Sequence, residues 1–136
     1  MVEIDAVYEG NLHCRVIHGP SGQPITTDAP KDNQGEGAAF SPTDLVAAAL
    51  GSCVLTTMGL VARRHGIDLT GARAHVTKEM VSQPNRRIGR LSVTITFPRR
   101  YDEAQRTLLE RTAMACPVHH SIHPEIEVPV QFVYPD

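Results

Sequence analysis

Ser41-Pro42-Thr43-Asp44-Leu45-Val46-Ala47-Ala48-Ala49-Leu50-Gly51-Ser52-Cys53-Val54-Leu55 is a helix with its starting signals attached. Ser41 fits the N-cap, where a side-chain oxygen meets amides that lack partners inside the helix. Pro42 fits the first helical position, and Asp44 adds acid to the first turn. The pattern continues through Thr56, Leu60 and Arg64 and stops near His65-Gly66, with Gly66 able to act as C-cap. Its middle is apolar nearly all round, which predicts burial on most sides. Ala47, Ala48, Ala49, Gly51 and Ser52 are small enough for another backbone to come close. The apolar run Leu45 to Val54 is too short for a bilayer, so the segment reads as a core helix.

Upstream of it, Val2 to Tyr8 and Leu12 to His18 are short alternating runs around Glu9-Gly10-Asn11, the pattern of a β-hairpin. Pro20 to Pro24 reads as a second turn, and Thr26 to Gly37, rich in Asp, Pro and Gly, as an exposed loop. Downstream, strands are expected over Arg73 to Val81 and Ile88 to Phe97, joined at Gln83-Pro84-Asn85. In the second, Leu91, Val93, Ile95 and Phe97 alternate with Ser92, Thr94 and Thr96, so one face is buried and the other wet. Asp102 caps a helix reaching Ala115, Cys116-Pro117 opens a short turn through Ile122, and Glu125 to Tyr134 is extended. Strands, buried helix, strands, helices and strand in that order predict one α+β domain over residues 1–136, with a largely antiparallel sheet. A helix apolar on every side needs more cover than so small a sheet supplies, and a tight homodimer would supply it.

With 136 residues and 41% hydrophobic content the chain is of the globular class and large enough for one core. It has no Trp and six aromatics, so that core is aliphatic. A net charge of −2 argues against a general nucleic-acid partner. Met1-Val2-Glu3-Ile4-Asp5 lacks the basic-then-apolar pattern of a signal peptide. The expected setting is the cytoplasm, with no membrane partner, where three cysteines do not form a static disulfide framework. A nucleophile elbow, a phosphate loop and a basic stripe with aromatics are all missing, which removes hydrolase, NTPase and nucleic-acid readings.

The chemistry that remains is thiol chemistry. Cys53 lies inside the apolar helix, where burial would raise its pKa and leave it inert unless a partner such as an arginine stabilises the thiolate. Cys116, just before Pro117, fits an N-cap, where free amides and the helix dipole favour a thiolate. Both also fit a purely structural role. Cys14, in a strand between His13 and Arg15, reads as incidental. Cys116, His119, His120 and His123 crowd one segment, but no second close pair of ligands accompanies them and His65 and His75 stand alone. No metal is therefore expected.

Phe40-Ser41-Pro42-Thr43-Asp44-Leu45 with Ala47 to Cys53, then Gly71, Lys78-Glu79-Met80 and Ala115-Cys116-Pro117-Val118, resemble the OsmC/Ohr family. These are the osmotically inducible and organic hydroperoxide resistance proteins. Thr27-Asp28-Ala29-Pro30 and the stretch from Pro84 to Arg87 look like its general OsmC-like branch. The resemblance implies an intertwined homodimer of sheets wrapped around central helices. It also implies a thiol peroxidase acting on organic hydroperoxides in oxidative-stress defence. In that scheme Cys53 becomes a sulfenic acid, Cys116 closes a disulfide with it, and an external dithiol, such as a lipoyl group or a small thiol, restores both without a bound cofactor. An arginine from the early part of the chain supports the reactive sulfur, and Arg15 is the candidate. Family members with strong peroxidase activity carry glutamate where this chain has Thr43. Asp44 is about a hundred degrees further round the helix and cannot simply replace it, which implies weakened activity. The alternative is a redox-inert module of the same fold that holds a small apolar ligand at its dimer interface.

Overall fold

A computed structural model describes residues 1–136. The chain divides into two compact units, Met1–Val46 and Ala47–Asp136. In the first, β1 (Ile4–Gly10), β2 (His13–His18) and β3 (Pro24–Asp28) form an antiparallel sheet in that order. The β1–β2 register pairs Ile4 with His18 and Tyr8 with Cys14. Its turn sits at Asn11 and Leu12, both left-handed (φ 52° and 62°), the twist that suits a tight hairpin. Asn accepts that conformation readily and Leu does not.

β3 corrects the expected loop. Ile25, Thr26 and Thr27 are β-branched and favour a pleated strand, and Pro24, which has no amide to donate, occupies its first position. Asp28 is buried at the strand's end, where its Oδ2 accepts the Ala38 N–H (3.0 Å) while its own amide donates to the Phe40 carbonyl (3.1 Å). These two bonds bring the following segment back to the start of α1 (Pro42–Arg64), which begins in this unit and continues through the next. The Ser41 hydroxyl accepts the Asp44 N–H (3.1 Å) and the Asp44 carboxylate accepts the Ser41 N–H (2.9 Å), a reciprocal cap with aspartate in place of the usual glutamate. At the far end Gly66 (φ 64°) closes the helix, with the Ile67 amide reaching back to the Ala62 carbonyl (2.8 Å).

The second unit contains the rest of α1, β4 (Arg73–Val81), β5 (Arg87–Thr96), α2 (Glu103–Ala113), α3 (Pro117–Ser121) and β6 (Val130–Val133). β4 and β5 are antiparallel and β6 joins β5 in parallel, so the sheet is mixed. Leu91, Val93, Ile95 and Phe97 are buried as their alternation requires. α2 ends at Ala113, two residues short of expectation, because Cys116 precedes a proline and is pushed to an extended backbone (ψ 128°). β6 is shorter than the expected run, since Pro129 cannot donate to a ladder and the strand starts just after it. Phe97 stacks on Tyr134 (4.5 Å, 6°), whose hydroxyl donates to Glu110 (2.9 Å) and whose ring lies under Arg106 (4.2 Å).

One expectation about α1 changes. It is 23 residues long and holds an 18-residue window with a mean hydropathy of 2.0, enough by length and composition to span a bilayer, because Leu55, Met58, Leu60, Val61 and Ala62 extend the apolar run beyond Val54. Leu50 and Met58 are fully buried and Val54 and Ala62 nearly so, which makes it a core helix of the second unit. Within the single chain burial follows a stripe: Ala48, Ala49, Ser52 and Thr56 are exposed and Leu60 is 51% exposed. The stripe follows the helical period, since one sheet covers one side.

Gly51 is where helix and sheet come closest, and a Cβ there would lie 2.9 Å from Val76 Cγ2 and 3.6 Å from Ala74 Cβ. Around Gly59 a Cβ would meet nothing within 4 Å. Gly51→Ala is therefore expected to lower stability by about 1–3 kcal/mol through overpacking. Gly59→Ala should raise it by about 0.5–1 kcal/mol through helix propensity. Thermal melts of the two variants shifting in the same direction would refute this packing.

Candidate active site

Within the second unit, the close approach at Gly51 sets the height at which the next turn of α1 presents Cys53. Thr57, one turn on, lies on the same helix face, with its hydroxyl 3.9 Å from the Cys53 sulfur. Cys116 arrives from α2 as the N-cap of α3, fully buried, with Pro117 at the first helical position. The fold brings these two thiols, far apart in sequence, near enough for each to shift the other's proton affinity, and neither is in a disulfide.

The two sulfurs differ. Burial is the largest influence on Cys53 and pushes its pKa up. Hydrogen bonds from the Cys116 thiol, the Val118 amide and the Thr57 hydroxyl outweigh it and hold Cys53 below the ordinary thiol value. Cys116 moves the other way, raised first by burial and then by donating its proton to Cys53, with the His119 and Val118 amides only partly offsetting this. The proton therefore stays on Cys116 and the negative charge forms on Cys53. This reverses the order expected from sequence. The amides of α3 do favour a thiolate, but Val118 also serves the sulfur across the contact, and the cysteine at the helix start is the more deeply buried of the two.

Arg15 is exposed on β2 of the first unit, opposite Val7 and Thr26, and Cys14 beside it faces Tyr8 and Thr27. Thr43 is half-buried in the first turn of α1, its hydroxyl 3.2 Å from that of Ser41. No three of the His, Cys, Asp and Glu side chains are grouped to hold a metal; His123 instead accepts the Glu125 N–H through Nδ1 (3.1 Å). Thr57 and the Val118 amide were missed by sequence reasoning. The i, i+4 spacing from Cys53 would have found the first, whereas nothing local signals the second. A cleft of about 400 Å³ beside the end of α1 mixes Leu55, Ala62 and Ile67 with Arg63, Asp68 and Thr70.

Because only the thiolate reacts, iodoacetamide at neutral pH is expected to modify Cys53 at least about tenfold faster than Cys116 in the folded protein. The Cys53 rate should reach its plateau at a lower pH than that of free cysteine, the sign required by a depressed pKa. Peptide mapping that found Cys116 labelled first would overturn the assignment.

Residues 35–131 match the OsmC-like protein family. A crystal structure of a Psychrobacter arcticus protein, provisionally named for osmotic stress induction and detoxification response, is 45% identical. It superposes with a TM-score of 0.91 over 97% of this chain and 96% of that one. An organic hydroperoxide resistance protein from Legionella pneumophila shares the fold at 17% identity, with a TM-score of 0.79 over 98% of this chain and 96% of the other. So does one from Elizabethkingia anophelis, at 17% identity and a TM-score of 0.80 over 99% and 96%. No curated protein matches significantly. The α+β fold, the residues matched and the 45% identity agree: this chain belongs to the OsmC-like protein family.

Proposed function

We propose that the protein is a thiol peroxidase that reduces organic hydroperoxides. The observation that carries this reading is the contact between a thiol held low, Cys53, and a buried thiol that keeps its proton, Cys116. Such a pair suits two consecutive displacements on sulfur. The Cys53 thiolate attacks the outer peroxide oxygen, the O–O bond breaks, and an alcohol leaves after taking up a proton. Cys53 is left as a sulfenic acid. Cys116 then attacks that sulfur, forming the S–S bond as the S–O bond breaks and water departs. An external dithiol, a lipoyl group or a small thiol, reduces the disulfide, and no bound cofactor takes part. The names of the Legionella and Elizabethkingia proteins support the substrate class, and that of the Psychrobacter protein a role in stress defence.

Arg15 is the cation assigned to the developing charge on Cys53. With Thr43 in place of a glutamate to orient it, turnover is expected to be slow. The working form is a homodimer in the cytoplasm, a second copy covering the exposed side of α1 around Leu60.

Consumption of cumene hydroperoxide with dithiothreitol or a lipoyl donor tests the reading. Cys53→Ser should lose activity by roughly a hundredfold or more. Cys116→Ser should form the sulfenic acid once and then stall. Arg15→Ala should reduce kcat/KM by about tenfold or more, as loss of one charge-stabilising group does, and Thr43→Glu should increase it. Peroxide turnover by Cys53→Ser at the wild-type rate would end the proposal.

A further inference from the structure

His119 has a ring nitrogen, Nδ1, with no solvent-accessible surface and no hydrogen-bond partner. A buried polar atom left unpaired costs about 1–3 kcal/mol, so it is rare unless a working site needs it. Its place is specific. With Cys116 as N-cap of α3 and Pro117 first, His119 is the third helical residue, the position from which a side chain can turn back towards the N-cap; here it makes no capping hydrogen bond, which leaves Nδ1 free to act. Its backbone amide already acts on the Cys116 sulfur. His120, the neighbouring imidazole, is exposed, with its centroid 6.0 Å away.

The second displacement leaves a proton unassigned. Cys116 must give up the S–H proton that its surroundings hold in place, and the hydroxide leaving Cys53 must gain one. We propose that His119 Nδ1 carries this proton, taking it from Cys116 as the S–S bond forms and giving it to the departing hydroxide, so that water is released. The step is balanced: one S–H and one S–O bond break, one S–S and one O–H bond form, and the oxidant is the sulfenic acid itself. An imidazole suits the task because a ring nitrogen can accept a proton and then return it to a neighbouring group. This inference rests on the peroxidase reading and extends it to the residue that makes the buried thiol usable.

The test separates the two displacements. The full-length protein is mixed with one equivalent of cumene hydroperoxide. Sulfenic acid is followed by dimedone trapping and the Cys53–Cys116 disulfide by non-reducing peptide mapping, in wild type, His119→Asn and His119→Ala. Asparagine keeps a hydrogen-bonding group near the Nδ1 position but cannot carry the proton. Both variants are expected to form sulfenic acid at the wild-type rate and to close the disulfide about a hundredfold more slowly, with dimedone adduct accumulating. Closure at the wild-type rate in either variant would overturn the role of His119 while leaving the peroxidase reading intact. Absence of sulfenic acid and disulfide in wild type would overturn both. Circular dichroism of each variant checks the fold, and His119→Asn decides the matter if His119→Ala does not fold.

Discussion

Helix α1 meets β4 at Gly51, and the chemistry of the second unit depends on how close that meeting is. With no side chain at this position, Val76 and Ala74 lie where a Cβ contact would be. The buried stripe of Leu50, Val54, Met58 and Ala62 settles onto the sheet face carried by Val93 and Ile95. Cys53, two residues beyond Gly51, takes its depth from this contact. A helix standing an ångström further off would move the Cys53 sulfur relative to Cys116 and to the Val118 amide, which help to hold its pKa down.

The thiol pair is also an arrangement of unequal partners. Two identical side chains differ in proton affinity because one is sealed in the core and the other sits half-buried among donors. None of the three groups that hold Cys53 down in the resting protein is charged: they are a thiol, an amide and a hydroxyl. Charge stabilisation by aimed dipoles needs no salt bridge.

Much of this was legible in the sequence where local rules decide. The Ser41 cap, the Gly66 stop, the alternation of β5 and the cap at Asp102 all stand where residue types predict them. Features that depend on distant partners were not legible. β3 escaped because only Ile25, Thr26 and Thr27 lie between Pro24 and Asp28, too few for a period, and its pairing with β2 supplies the order. The ends of α1 were read correctly, but the extent of its apolar run was underestimated because Thr56, Thr57 and Gly59 interrupt the aliphatic residues without interrupting the helix. Read from local position alone, Cys116 was the favoured thiolate, whereas its surroundings raise its pKa and those of Cys53 lower it. That difference turns on which amide reaches which sulfur, a fact of tertiary geometry with no trace in the local sequence.

α3 is only five residues long, and its own backbone bonds run from His120 to Cys116 and from Ile122 to Val118. So short a helix has little stability of its own. A covalent bond between Cys53 and Cys116 would fasten it to the longest helix of the chain and close a loop of roughly sixty residues, worth about 4 kcal/mol by restriction of the unfolded chain. The reduced and bridged forms would then differ in how readily the segment after Ala113 opens to a protease or exchanges its amides. Its redox state would be written into local stability, which a reducing partner could recognise before it transfers an electron pair.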